Sequence, residues 1–426
     1  MITGSEHVPA TGPVIFVANH PSAFMDPMVV AACIGRPTHF LAAAEYFGMG
    51  FKSWFYKKYL NMIPVYRPSV LPNETHHNEA IFSSCFELLG KGGALLVFPE
   101  GNSITEKRIR KLKTGVARMA LGARLSAKHN VEVEVVPIGL NYANPHRFQS
   151  DLFINIGAPI STHTYSPENS EVVRLTDEME ERLKETILHI QHPELDSLVK
   201  KIELILKDKF KFDKQSQSTK KETEFVYQKK VIRSIQLLTE NHSPLLMELE
   251  RKLDDYFYKI KTLGISDGSI RDLTVFISTQ EVLRLTFTLP LFLIGFVCNA
   301  MPYYATVFYF RNLNLFSRDG YEPPNKKINP AFKGSISMAI GMVFFIGYYL
   351  LLATIIGLIT GHSWFSILSL ALFYFAGLFC MKYIGWMILL NQKLKLRKLV
   401  NTKKDLFTSL LIERKTILEE LERVTN

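Results

Sequence analysis

The last third of this chain contains apolar runs that are too long for the core of an ordinary soluble domain. Residues 336–360 contain no charged side chain, and residues 364–381 contain none before Lys382. About 20 apolar residues let a helix cross a bilayer, and only residues 361–363 separate the two runs. We expect a helical hairpin that crosses a membrane, and the rest of the chain must be compatible with it.

A third apolar run covers residues 286–310 and is interrupted at residues 299–302. Basic residues flank the hairpin on both sides: Arg311, Arg318, Lys326, Lys327 and Lys333 before it, and Lys393, Lys395, Arg397, Lys398, Lys403 and Lys404 after it. Since positive loops favour the cytoplasmic face, both flanks are expected there. Residues 286–310 are therefore expected to be re-entrant or interfacial, and a single span is the alternative.

The first half of the chain has the pattern of a soluble α/β domain. Apolar runs predict strands over residues 13–18, 93–98, 131–140 and 152–156, and helices are predicted over residues 78–89 and 114–129. Strands that alternate with helices indicate a mostly parallel sheet. Polar motifs follow the strands at their carboxyl ends, where open α/β sheets bind ligands.

These patterns divide the chain into four parts. We predict an α/β domain over 1–165, a helical accessory region over 166–280, a membrane region over 281–392 (with transmembrane helices at 336–360 and 364–390), and a basic amphipathic tail over 393–426. Residues 214–221 have the composition of an exposed linker. Residues 1–8 show no signal peptide, so we expect the α/β domain to stay in the cytoplasm.

The formal charge of +10 and the four cysteines restrict the partners. Beside membrane-crossing segments, the anionic lipid surface explains basic clusters better than nucleic acid does. No zinc or RNA-binding motif favours nucleic acid. No two cysteines have a metal-ligand or redox spacing, so we expect free thiols and no metal.

Two motifs that follow predicted strands contain side chains suited to proton transfer and ligand binding. His20 comes after the first strand, and Asp26 could orient it as a general base while also capping the next helix. Glu100 and Gly101 follow the second strand, where glycine allows close backbone approach. Each motif alone also fits an ordinary loop.

Two basic residues could contact phosphate. Arg67 follows an apolar stretch, and arginine suits bidentate phosphate binding. Lys113 precedes a predicted helix whose N-terminus would favour an anion, although a solvated lysine is an equally good interpretation.

Together, the segments Asn19–Asp26, Ile63–Arg67, Phe98–Ser103 and Val135–Tyr142 resemble the four sequence blocks of the glycerolipid acyltransferases. The resemblance covers about residues 8 to 160. It implies that His20 and Asp26 are catalytic, and that Arg67, Glu100 and Gly101 position the acceptor. Five residues separate His20 from Asp26 instead of the common four, which resembles the branch acting on glycerol-3-phosphate or dihydroxyacetone phosphate.

The resemblance implies direct acyl transfer in phospholipid synthesis. His20 would deprotonate the acceptor hydroxyl, which attacks the thioester of acyl-CoA or acyl-ACP, and no cofactor would be needed. Membrane lipids and a phosphate-bearing glycerol acceptor are the implied partners. Lysophosphatidate or another lysophospholipid is the alternative acceptor, and a non-catalytic lipid-binding protein is the alternative class.

Overall fold

The computed structural model describes residues 1–67, 70–125, 131–147, 150–166, 168–207, 217–273, 275–312 and 330–425. Within these ranges the chain forms two compact units. The first contains residues up to 191 with 217–226 and 330–335, and the second contains 192–207, 227–312 and 336–425. Arg318, Lys326 and Lys327 of the predicted basic flank lie outside the described residues.

The first unit is built around one eight-stranded sheet. Its strands are β1 (Ile2–Thr3), β2 (Val14–Ala18), β3 (His39–Ala43), β4 (Met62–Val65), β5 (Ala94–Val97), β6 (Glu134–Tyr142), β7 (Leu152–Ile156) and β8 (Ile160–Ser161). They are ordered β1-β7-β6-β2-β5-β3-β4, and β8 pairs with β6. Of the strand pairs in the described residues, β6–β7 and β6–β8 are antiparallel and the others are parallel. The predicted α/β domain with a mostly parallel sheet is confirmed.

The five residues of β2 are buried on both faces because helices cover the sheet on each side. The first-unit helices are α1 (Met25–Ile34), α2 (Phe51–Tyr59), α3 (His77–Gly90), α4 (Gly115–Leu125) and α5 (Asn169–Thr186). Ile15 and Val17 join a core cluster with residues of α3, α4 and α5. Phe16 joins the opposite cluster with Val30 and Ile34 of α1. This double burial accounts for an uninterrupted apolar strand rather than an alternating one.

The sequence prediction missed β3 and β4. Both strands are short, and all of their residues are half-buried, and a short apolar run does not by itself distinguish a strand from a helix. Pro64 lies within β4, which is the edge strand of the sheet, and an edge position tolerates a residue without a backbone N–H. The helix predicted over 114–129 is described as α4, ending at Leu125, and residues 126–130 lie outside the described ranges.

Helices account for the described remainder of the chain. They are α6 (Asp196–Leu206), α7 (Gln217–Glu240), α8 (Pro244–Leu263), α9 (Asp267–Arg271), α10 (Thr279–Asn312), α11 (Lys333–Thr360), α12 (Ser363–Thr402) and α13 (Lys404–Thr425). Part of the predicted linker is instead the start of α7, and residues 214–216 lie outside the described ranges. The predicted boundaries of the four parts of the chain stay a prediction.

Among the residues that the structure describes, three helices are long and apolar enough to cross a membrane: residues Thr279–Phe310, Lys333–Thr360 and Ser363–Thr402. The break expected at residues 299–302 is corrected, since α10 continues through Pro302. The polar residue there has interhelical partners: Asn299 accepts a bond from the Tyr349 hydroxyl and is 3.5 Å from the Phe373 carbonyl. A satisfied polar side chain between apolar helices does not require the chain to turn.

The helices before and after the apolar region pack against each other within the second unit. Lys259 of α8 pairs with Glu413 of α13 at 2.7 Å, and Lys252 pairs with Glu420. Asp267 of α9 is buried, accepts a 2.7 Å bond from the Tyr256 hydroxyl and lies 2.8 Å from Arg414 of α13. The helices that flank the apolar region on either side in sequence therefore contact each other.

Gly139 of β6 gives a test of how tightly α5 packs on the sheet. A Cβ at this position would lie 2.1 Å from the carbonyl oxygen of Thr186, where backbone cannot yield easily. We expect Gly139→Ala to destabilise the first unit by about 1–3 kcal/mol, measured as a lower melting temperature in detergent. Gly115→Ala is the matched control, since a Cβ there meets nothing within 4 Å. Equal melting temperatures for the parent and Gly139→Ala would contradict the packing.

Candidate active site

The imidazole of His20 is held by a buried carboxylate at the carboxyl end of β2. His20 Nδ1 lies 2.8 Å from Asp26 Oδ2, and the Asp26 side chain has no exposed surface. The ring also stacks on Phe98, with centroids 4.0 Å apart. Because the carboxylate accepts the Nδ1 proton, Nε2 is the nitrogen that can take a proton from a substrate. The predicted pairing of His20 with Asp26 is present.

The turn between His20 and Asp26 accommodates the five residues that separate them. The N–H of Asp26 donates to the Ala23 carbonyl, and the N–H of Ser22 donates to Asp26 Oδ2 at 2.8 Å. The predicted N-cap role of Asp26 is corrected. Helix α1 begins at Met25 with Phe24 at its N-cap, and Asp26 lies in the first turn. The carboxylate points back to His20 and Ser22 instead of capping α1.

Two polar residues that the sequence analysis did not single out for this role fix the turn. Ser103 donates to the His20 carbonyl at 2.8 Å and accepts from the Ala23 N–H at 2.9 Å. Ala23 has a φ of 45°, which is rare without glycine. Asn19 exchanges two hydrogen bonds with the backbone of Leu140, joining the ends of β2 and β6. Both residues are buried polar groups just beyond strand ends, and this position is the signal that could have identified them.

Glu100 connects the His20 turn to a second loop. Its two oxygens accept bonds from the N–H groups of His20 at 3.3 Å and Arg110 at 3.4 Å. Burial raises the pKa of this carboxyl to about 7, although the two N–H groups and the Arg110 charge oppose the shift. Glu100 therefore changes its charge near neutral pH, and its observed contacts are to backbone of the site.

Both predicted cations lie against Gly101. Arg67 donates to the Gly101 carbonyl at 3.2 Å and to the Asn102 side chain at 2.7 Å. A Cβ on Gly101 would lie 2.3 Å from the Lys113 ammonium nitrogen, and the φ of Gly101 is +75°. The positive φ therefore favours glycine here, whereas a Cβ would require the flexible end of Lys113 to move. The glycine brings two positive charges to the loop that also holds Glu100.

Glu45 is an acidic partner that the sequence analysis missed. It follows β3 and forms an ion pair with Arg67. Arg67 Nε and Glu45 Oε2 are buried, and neither has a hydrogen-bond partner among the residues that the structure describes. The guanidinium consequently has spare donor capacity beside Gly101.

Residues far along the chain also touch the His20 turn within the first unit. Ser335 donates to the Ser22 carbonyl at 3.2 Å, and Phe332 packs on Phe24 and Tyr46 with ring centroids 5.3 and 5.7 Å apart. Gly334 has no room for a Cβ, which would lie 2.9 Å from the Pro145 carbonyl. No local sequence pattern could have predicted a contact across 313 residues.

Tyr142 lies at the end of β6 beside the same carboxylate. Burial raises the pKa of its phenol, and the negative charge of Asp26 raises it further. The phenol therefore stays protonated. Its hydroxyl and Asp26 Oδ1 are both buried, and the phenol lies close enough to Asp26 to interact with its carboxylate.

All six predicted site residues meet at one edge of the sheet: His20 with Asp26 and Glu100, and Gly101 with Arg67 and Lys113. The arrangement combines a base oriented by a carboxylate with two cations and a buried carboxyl. A neutral imidazole of this kind can take a proton from a hydroxyl group. Arg67 and Lys113 can bind an anionic group of the molecule that carries this hydroxyl.

Comparisons with known proteins agree with this chemistry. Residues 1–141 match the family model described as Acyltransferase. Glycerol-3-phosphate O-acyltransferase 1 of Saccharomyces cerevisiae is 31% identical over 159 residues, covering 32% of this chain and 21% of that protein. Glycerol-3-phosphate O-acyltransferase 2 of the same yeast is 40% identical over 83 residues, covering 20% of this chain and 11% of that protein.

A solved structure is also similar, that of the 1-acyl-sn-glycerophosphate acyltransferase PlsC from Thermotoga maritima. It shows 23% identity and a TM-score of 0.32, covering 43% of this chain and 70% of that one. The chain aligns with 21% or less of the length of the yeast relatives. The similarity to the acyltransferase family model covers residues 1–141 of this chain.

Proposed function

We propose that this protein is a membrane-bound O-acyltransferase that moves a fatty acyl group from acyl-CoA or acyl-ACP to glycerol-3-phosphate or dihydroxyacetone phosphate. The observation that carries the proposal is the 2.8 Å contact between His20 and Asp26, beside a loop that holds two cations. The acyltransferase-family match over residues 1–141 supports it.

The proposed reaction is a direct transfer without a metal or cofactor. His20 Nε2 takes the proton of the acceptor hydroxyl as its oxygen attacks the thioester carbonyl. The tetrahedral intermediate then expels the thiolate, and the imidazolium returns the proton to the sulfur. Asp26 keeps the proton of the resting ring on Nδ1 and stabilises the imidazolium.

Arg67 and Lys113 are proposed to bind the phosphate of the acceptor. A phosphate offers several oxygens to the donors of a guanidinium, and a lysine adds a second positive charge. Glu45 pairs with Arg67 in the structure, so the phosphate would share or replace that partner. Glu100 and Gly101 would shape the acceptor site between the cations and the base.

The choice of acceptor rests on two observations. Five residues separate His20 from Asp26, and the turn in the structure accommodates that spacing. The yeast relatives are named as glycerol-3-phosphate O-acyltransferases. A 1-acylglycerol-3-phosphate or other lysophospholipid acceptor is the alternative within this class, and a non-catalytic lipid-binding protein is the alternative class.

We place the catalytic domain on the cytoplasmic side of the membrane. The domain precedes the first of the three apolar helices. Contacts between α8 and α13 support a topology in which both ends of the apolar region are on one side of the membrane, with an even number of complete crossings. The basic tail that ends this region then shares the side of the catalytic domain, as the positive-inside rule favours.

The first test is acyl transfer by the full chain in lipid, with labelled acyl-CoA and acyl-ACP. Acceptors are glycerol-3-phosphate, dihydroxyacetone phosphate and lysophosphatidate. We expect ester formation that falls by roughly 10²–10⁴-fold in His20→Ala, because the general base is lost. His163→Ala removes an exposed histidine as the control. If the folded, unmodified protein acylates none of these acceptors, the proposal is wrong.

Asp26→Asn separates orientation from proton transfer. The amide keeps the shape of the carboxylate but not its charge, and it can hold the wrong imidazole tautomer. We expect kcat to fall by roughly 10²–10⁴-fold with little change in KM. Asp177→Asn, on the exposed face of α5, is the control. If the Asp26→Asn variant keeps full kcat, Asp26 does not orient His20.

Glu100 predicts a pH-dependent stability. The pKa of Glu100 in the folded protein, about 7, is above its usual value of 4.5. The contribution of the protonated carboxyl to stability is therefore fully present below the unfolded pKa and is lost as the pH rises through 7. Glu100→Gln mimics the protonated carboxyl and escapes this loss. The variant should therefore gain roughly 3 kcal/mol relative to the parent between acidic and alkaline pH. Melting temperatures of both proteins check this, and a difference that does not change with pH contradicts it.

A further inference from the structure

Helix α2 in the first unit consists of nine residues, none of which is buried. An aqueous helix of this length normally hides one face. Instead, large apolar and aromatic side chains are exposed along it and at both of its ends: Met49, Phe51, Trp54, Phe55, Tyr59 and Leu60. Met49 is 94% exposed and Phe51 is 75% exposed. We call these six residues and the lysines of α2 the α2 surface.

The aromatic side chains of the α2 surface contact one another instead of the core. Phe51 and Trp54 have ring centroids 5.4 Å apart, and Trp54 and Tyr59 are 5.3 Å apart. Tyr56, the half-buried ring of the helix, packs on buried Phe47 at 5.9 Å. The helix is therefore attached to its domain through Tyr56, while its other rings face outward as one patch.

The charge of the α2 surface has one sign. Lys52, Lys57 and Lys58 are exposed on the helix, and no acidic residue occurs between Glu45 and Glu74. Lys58 lies over the Trp54 ring at 5.4 Å, and Lys52 lies over Tyr56 at 5.5 Å. Lysines with apolar stems beside aromatic rings can bury the stems and keep their ammonium groups at a polar boundary.

We propose that the α2 surface docks the acyltransferase domain onto a lipid bilayer with anionic headgroups. The rings of Trp54 and Tyr59 would lie at headgroup level, where aromatic residues with a polar edge are enriched. Phe51 and Met49 would reach the top of the acyl region, and the lysines would contact anionic headgroups. Nine residues are too few to span a bilayer, so α2 lies on the surface.

A second copy of the chain fits the α2 surface less well. A twofold interface brings the same patch of each copy together. The three lysines of α2 would then face three lysines, with no acidic residue on the segment to compensate them. Lipid phosphate supplies the missing negative charge. The proposal concerns membrane contact and does not depend on the reaction or its acceptor.

The test uses the full chain with Trp364→Phe and Trp386→Phe, which leaves Trp54 as the sole tryptophan. In liposomes that contain phosphatidylglycerol, lipids brominated high on the acyl chain should quench Trp54 more than lipids brominated near its end. Iodide should quench Trp54 weakly. Lys57→Gln with Lys58→Gln should reduce the lipid quenching, and added salt should reduce it as well.

The matched control is Lys403→Gln with Lys404→Gln, another adjacent pair of exposed lysines. It removes the same charge from the chain and should leave Trp54 quenching unchanged. Strong iodide quenching without lipid quenching would overturn the docking. Protection from iodide that disappears when each liposome holds a single chain would assign the surface to a second copy. Lipid quenching of Trp54 that is changed neither by added salt nor by the substitutions of Lys57 and Lys58 would overturn the role of anionic headgroups.

Discussion

A fully buried carboxylate organises the candidate site. Burying a charge is costly unless hydrogen bonds compensate it, and Asp26 Oδ2 receives them from the Ser22 N–H and from His20. These two bonds bend the chain after β2 so that the imidazole faces the edge of the sheet. Ser103, Glu100 and Ser335 then bind backbone groups of the same turn. Without the Asp26 carboxylate, the turn would not hold the backbone groups to which these three side chains bind.

Much of the fold and site could be predicted from local sequence. The buried run of β2 and the motifs that end β2 and β5 have patterns that depend on few neighbours. His20, Glu100 and Gly101 were found because they follow strands that are easily recognised. The N-cap role assigned to Asp26 was wrong, because its preference for a helix start was outweighed by the bond that His20 offers.

The missed features depend on contacts between distant parts of the chain. No local pattern identifies Glu45, because its ion pair with Arg67 depends on the pairing of β3 with β4. Asn299 looked like a break because its two interhelical partners lie 50 and 74 residues away. β4 was missed because it is a half-buried edge strand that contains proline. In each case, pairing with a distant element decides the conformation, and local propensity does not reveal that pairing.

The close approach of Lys113 to Gly101 changes how variation at the glycine should be understood. The ammonium group occupies the space in which any other residue would carry its first side-chain carbon. A substitution at position 101 would displace a cation although neither the old nor the new residue need be charged. Such a substitution would move a positive charge within the site and would also strain a backbone whose φ is +75°. A shorter neutral residue at position 113 would remove the steric conflict but neither of these two effects.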